Sequence, residues 1–277
     1  MSVCSPLIFP VFCAHVLLLA YLVPLVGHGQ WYVAAEDEAY YDAYADGWQT
    51  GDWGGRGFKG WQLFAPEYGI AGEEQYAGFF IADADQEADL GAAAREGRAF
   101  GIYANGTGFE ETVAFRSFER PLIAGDVFSL RFEFDGFGHK FERDAEGVSS
   151  VGIALRHADT ATDLSELSQG RALVLAVIEG LSTYQILDAG GRFNTRVFLD
   201  PAGIEIGVTI GEAGLYKLQI TTLSDQVLHE FPQRRMSLPV AEDAPVRIKS
   251  FALFNLNGGV HNAYYGAFQI SRLEGDR

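Results

Sequence analysis

The run Val127-Phe-Ser-Leu-Arg-Phe-Glu-Phe134 constrains this chain more than any other stretch. Phe128, Leu130, Phe132 and Phe134 fall on one side of an extended backbone, and Ser129, Arg131 and Glu133 fall on the other. A side-chain period of two belongs to β structure, so the run specifies a strand with one buried face. Ile204–Ile210 and 216–221 repeat the pattern, and 77–81, 100–104, 151–155, 173–178, 183–187, 248–254 and 264–272 read as further strands. Turn chemistry separates them: Asp135-Gly136, Asp188-Ala-Gly-Gly191, Pro201-Ala-Gly203, Gly211-Glu-Ala-Gly214 and Asn257-Gly-Gly259. Only 87–96, rich in alanine, and 36–45 look helical, and both are short. Many short strands at this spacing predict an all-β fold, a two-sheet antiparallel β-sandwich of the jelly-roll kind. No linker-like composition break follows Glu36, so 36–277 reads as one domain.

Residues 7–26 are almost wholly apolar, and no lysine or arginine precedes Arg56. Such a run serves either as the core of an export signal or as a membrane anchor. Pro6 stands just before it and Pro10 and Pro24 interrupt it, which favours a signal over a spanning helix. Small residues at Val33-Ala34-Ala35, before the acidic Glu36-Asp37-Glu38, offer a cleavage site, so residues 1–35 are assigned to the export segment. Both cysteines, Cys4 and Cys13, lie within it, leaving the domain without thiol chemistry or disulfides.

Composition excludes two classes of partner. The chain carries 37 acidic and 20 basic residues, a net charge of −17, which repels nucleic acid and anionic lipid. Membrane contact is therefore expected only through an uncleaved N-terminal segment. With 48% hydrophobic and 13% aromatic residues the chain has ample material for a packed core.

The segment Tyr44-Ala-Asp-Gly-Trp-Gln-Thr-Gly-Asp-Trp-Gly-Gly-Arg-Gly-Phe-Lys-Gly-Trp61 is the most distinctive in the sequence. It resembles the opening of a group of secreted bacterial β-sandwich proteins, often cell-surface and exosortase-sorted, whose motif reads Y-x-D-G-W-x-x-G-D-x-G-G-x-G-F-x-x-W. Asp46, Gly47, Trp48, Gly51, Asp52, Gly54, Gly55, Gly57, Phe58 and Trp61 carry the match. Segments 77–81, 101–105 and 251–259 also look similar to that group. The resemblance implies a concanavalin A-like jelly roll on the outside of a bacterium, secreted or held at the cell surface. It brings no established activity with it. Trp53 departs from the group, which commonly has a small polar residue there.

Two roles suit this segment. As structure, its glycines permit tight turns while Trp48, Phe58 and Trp61 pin the loop to the core and Asp46 and Asp52 accept backbone N–H bonds. As a binding surface, Trp53 and Trp48 offer flat faces for sugar rings and Asp52 and Asp46 offer acceptors for hydroxyls. Trp53, between Asp52 and Gly54, is expected to be the exposed one.

The acidic stretch carrying Asp83, Asp85, Glu87 and Asp89 places carboxylates at every second position. In a loop such oxygens can converge on Ca²⁺, although the EF-hand pattern is not met because Ala88 and Ala94 stand at its sixth and twelfth positions. A solvated acidic face accounts for the same residues. Glu133-Phe-Asp135 begins like the E-x-D-x-x-E signature of laminarinase-type sandwiches, but Gly138 occupies the place of the second glutamate. Lacking an acid/base pair, the sequence favours a non-catalytic, exported β-sandwich that binds glycans or serves as a matrix or adhesion module. The alternative is a polysaccharide-degrading hydrolase or lyase on the same fold.

Overall fold

The computed structural model describes residues 30–65, 76–87, 90–105, 110–138, 148–159, 161, 163, 167–238 and 245–274. The apolar stretch 7–26 lies outside them. Among the described residues the chain forms β1 (Trp31–Asp37), β2 (Phe58–Phe64), β3 (Ala77–Asp83), β4 (Arg98–Ala104), β5 (Glu111–Leu122), β6 (Val127–Phe134), β7 (Ser150–Arg156) and β8 (Arg171–Ile178). There follow β9 (Thr183–Asp188), β10 (Gly191–Phe198), β11 (Ile204–Ile210), β12 (Leu215–Thr222), β13 (Leu228–Arg235), β14 (Ile248–Leu256) and β15 (Ala263–Leu273).

These strands build two antiparallel sheets, the sandwich expected from the alternation. The eight-stranded sheet runs β13-β12-β11-β6-β15-β4-β3, with β1 also paired to β15. The seven-stranded sheet runs β10-β9-β8-β7-β14-β5-β2. Strand β15 serves two partners along one edge: 263–265 pair with β4, and 268–273 pair with β1. Between them the register shifts, and Ala267 takes a positive φ of 54°. The Ala267 amide turns to the Glu38 carboxylate, which accepts its hydrogen bond at 3.1 Å.

The phenylalanine face of β6 enters the core as the period of two requires: Phe128, Leu130, Phe132 and Phe134 are all buried between the sheets. Ile204, Ile206, Val208 and Ile210 of β11 lie beside them, as do Tyr216, Leu218 and Ile220 of β12. Phe132 stacks on Tyr265 at 5.1 Å between centroids. The seven-stranded sheet is apolar on its outer face too, where Val113, Phe115, Val174, Ala176, Ala252 and Phe254 pack with Ala161 and Leu167. Burial on both faces explains why β7, β8 and β14 read as continuous apolar runs rather than alternating ones.

Three expectations are corrected. Residues 31–35, assigned above to the export segment, belong to β1 and pair with β15, so the folded domain begins before Glu36. The expected helix at 36–45 is instead the end of β1 followed by a single 3-10 turn, Asp42–Tyr44. The described part of 87–96 is not helical: it forms turns, ending in a bridge between Arg95 and Arg98. Glu133 is the reason. Its carboxylate accepts the amides of Gly91 at 2.7 Å and Ala93 at 3.1 Å, capturing donors that a helix would use. Arg131 donates to the Ala92 carbonyl from the same side, so β6 holds this segment as a strap across the outside of the eight-stranded sheet.

Candidate functional site

The glycine- and tryptophan-rich segment packs around a buried polar knot. Asp37 of β1 and Arg116 of β5 form an ion pair with both side chains fully buried. The Tyr44 hydroxyl donates to Asp37 at 2.5 Å and accepts the Gly54 amide at 3.1 Å and the Trp61 indole N–H at 3.2 Å. Arg116 also donates to the carbonyls of Lys59 and Gly54, and its guanidinium lies 4.6 Å from the Trp61 ring centroid. Burial raises the Asp37 pKa, while Arg116 and the Tyr44 hydroxyl oppose that rise. Burial likewise pushes the Tyr44 phenol well above its ordinary range.

The glycines at this knot are matters of space. A Cβ on Gly54 would stand 2.5 Å from the Tyr44 ring and 2.7 Å from the Asp37 carboxylate. At Gly55, where φ is +69°, a Cβ would stand 1.9 Å from the Glu36 carbonyl oxygen. Backbone bonds between Gly51 and Trp61 and between Trp61 and Asp52 then fold the segment back on β2.

Beside this knot a surface groove of about 540 Å³ opens along β3, the terminal strand of its sheet. Tyr44, Asp46, Trp48 and Gln49 form one wall, and Phe79, Phe80, Ile81 and Asp83 of β3 form the other with Gln86, Glu87 and Arg98. Trp48 is 5% exposed and packs edge-on against Trp61 at 4.9 Å and Phe79 at 5.2 Å. Its buried indole N–H has no acceptor among the described residues. Asp83 stands opposite Arg98 in the β3–β4 register.

Four of the residues singled out in the sequence therefore meet: Asp46 and Trp48 from one segment, Asp83 and Glu87 from another. Others do not line the groove. Trp53 is 61% exposed and points elsewhere on the surface, and the Asp52 carboxylate accepts the Gln49 amide at 2.7 Å. Among the described residues the Asp46 carboxylate accepts no corresponding backbone bond; the Asp46 carbonyl accepts from the Gln49 side chain. Asp85 is exposed, and its amide donates to the Asp83 carboxylate at 3.0 Å. Asp89 lies outside the described residues.

Among the described residues no group of three or more His, Cys, Asp or Glu converges to hold a metal. Asp83, Asp85 and Glu87 wind through a turn in which the amides of Gln86 and Glu87 both donate to the Asp83 carbonyl, and they do not surround a common centre. The described residues thus do not fit a Ca²⁺ cage. Glu133 and Asp135 are placed on the face away from the core phenylalanines, but Glu133 is 1% exposed beneath the strap rather than free on an open strand face.

Gln49, Phe79, Phe80, Gln86 and Arg98 complete the groove without having been singled out in the sequence. The signal available was the doublet Phe79-Phe80: two consecutive aromatics on a strand face opposite ways, and at a terminal strand that furnishes apolar surface on both sides.

No family model and no curated protein matches this chain. Among solved structures the chain is similar to a legume lectin-like domain from Entamoeba histolytica, with TM-score 0.41 and 10% identity over 70% of this chain and 90% of that one. A protein of unknown function with a galectin-like fold from Bacillus subtilis is similar at TM-score 0.43 and 9% identity, covering 87% and 97%. A sialidase is similar at TM-score 0.44 and 12% identity over 78% of this chain, which spans 17% of that protein's length.

Proposed function

We propose that this chain is an exported glycan-binding β-sandwich whose ligand lies in the groove between Asp46 and Glu87. The observation that carries the reading is the groove's composition. Phe79 and Ile81 from one face of the terminal strand β3, and Phe80 from the other, supply partly exposed apolar surface, and Asp46, Gln49, Asp83, Gln86, Glu87 and Arg98 surround it with planar polar groups. Sugar rings present apolar C–H faces and a rim of hydroxyls, so they call for this combination of aromatic surface and carboxylate, amide and guanidinium partners. A volume of about 540 Å³ falls within the ordinary range for small-ligand clefts.

The reading is one of binding without chemistry, with a polysaccharide or cell-surface glycan as partner. Glu133 is held by two backbone amides, which supports a structural role for that carboxylate. The apolar run at 7–26 supports export, and the charge of −17 argues against nucleic acid as partner.

A glycan array followed by fluorescence titration tests the proposal. Trp48 lies on the groove wall, so an occupied groove changes its emission, and Trp48→Phe removes that change while keeping an aromatic in the core. Gln86→Ala and Arg98→Ala weaken binding without lowering the melting temperature. Absence of binding to every glycan on the array sinks the reading.

A further inference from the structure

The groove's charge points to a narrower ligand class, and the inference rests on the glycan reading above. Asp46, Asp83 and Glu87 line it against one cation, Arg98. Asp83 has a use in the fold, since its carboxylate accepts the Asp85 amide and faces Arg98 across the strand pair. Asp46 and Glu87 have none: among the described residues neither carboxylate has a hydrogen-bond or ion-pair partner. Lys59 and Lys217 are committed elsewhere, to Asp159 and Glu230. A second observation belongs to the same wall. Trp48 is almost wholly buried there, and its indole N–H, a donor without an acceptor among the described residues, answers to a sugar oxygen and not to the ammonium group.

Two unneutralised carboxylates on a concave, partly apolar surface focus a negative potential into the groove, and the surrounding charge of −17 reinforces it. A uronate or sulfated sugar brings like charge to that wall and is repelled. A neutral sugar meets the carboxylates with hydroxyl donors. A sugar carrying a free ammonium group meets them with a charge-assisted donor, the stronger contact.

We infer that the groove selects glycans bearing unacetylated amino sugars, their ammonium groups seated between Asp46 and Glu87. The contacts are partly exposed, so the preference is moderate, about fivefold over the same glycan with its amines acetylated.

The experiment compares four probes by titration against the full chain: a glucosamine oligomer with free amines, its N-acetylated counterpart, a glucose oligomer and an oligouronate. The free-amine oligomer binds tightest and the oligouronate does not bind. Salt of about 0.5 M, where the screening length is about 4 Å, removes most of the preference. Asp46→Asn with Glu87→Gln also removes it, lowering affinity for the free-amine oligomer by about fivefold more than for the N-acetylated one, with the melting temperature retained. A protein this acidic attracts amines without any site, so Asp225→Asn with Glu212→Gln serves as the control. That pair lowers the net charge equally on the β11–β13 side of the molecule and leaves the preference intact. Equal affinity for the free-amine and acetylated probes, or equal loss in the control pair, overturns the inference while the glycan reading stands. Failure of all four probes and of the wider array overturns both.

Discussion

The Asp37 carboxylate and the Arg116 guanidinium meet with no solvent exposure on either side chain, and they join β1 of one sheet to β5 of the other. The pair sits at the centre of the segment that forms one wall of the groove, since Tyr44 and Gly54 both bond to it. Removing one partner leaves the other charged and buried, which costs about 3–5 kcal/mol. Asp37→Ala is therefore expected to lower the unfolding free energy by that amount in a denaturant titration. Replacing both residues with apolar ones of similar size costs much less. A single substitution that left the midpoint unchanged would show that the pair contributes no stability.

A chain beginning at Glu36 lacks most of β1 and exposes the edge of β15 from Ile270 to Leu273. It also loses Ala35, which is 1% exposed and part of the core. Expressed without the preceding residues, this shortened chain is expected to melt several degrees below one beginning at Gln30, since about 1 kcal/mol shifts Tm by roughly 2–4 °C at this size. Equal melting temperatures would mean that β1 adds nothing to the fold.

Glu133 accepts two backbone amides while 1% exposed. Glu133→Ala strands the Gly91 and Ala93 N–H groups, and a buried unpaired donor costs about 1–3 kcal/mol. The loss is expected to loosen the strap locally, raising hydrogen exchange at 90–94 and weakening ligand binding through neighbouring Glu87. Glu133→Gln keeps one acceptor oxygen and costs less. An unchanged exchange rate in Glu133→Ala would refute the role assigned to this carboxylate.

The sandwich was legible because β6, β11 and β12 alternate cleanly, and a period of two held over seven or eight residues belongs to a strand with one buried face. Strands β10 and β13 escaped notice for the opposite reason. They end their sheets, most of their residues are exposed, and the sequences Gly-Arg-Phe-Asn-Thr-Arg and Leu-His-Glu-Phe-Pro-Gln carry little apolar signal. Strand β1 was hidden by composition, because its Val-Ala-Ala also suits a cleavage site. The groove was half legible. Asp46, Trp48, Asp83 and Glu87 stood out by residue type, but their meeting depends on β3 ending its sheet beside the 44–49 segment, which no local pattern encodes. The helix expected at 87–96 failed because a carboxylate more than 30 residues away takes the amides that a helix needs.

The buried phenols set the alkaline limit of the fold. Burial pushes the Tyr41 pKa up to about 12 and raises those of Tyr44, Tyr184, Tyr216 and Tyr265 further. Tyr265, for example, donates to the Gly152 carbonyl at 3.0 Å, and Tyr216 to Asp188 at 2.6 Å. In the unfolded chain each phenol ionises near pH 10. Between that pH and the folded value, the native state holds more protons than the unfolded state. Stability from these groups is therefore fully present below about pH 10 and is lost as pH rises through the folded values. Melting temperature is expected to fall steeply above pH 10, and phenolate absorbance from the buried Tyr44, Tyr184, Tyr216 and Tyr265 is expected to appear only together with loss of near-ultraviolet circular dichroism. Tyr216→Phe removes one such phenol, so the decline in its stability from pH 10 upward is expected to be shallower than in the parent chain. Full phenolate absorbance in a protein that keeps its native circular dichroism at pH 11 would contradict the burial of these hydroxyls.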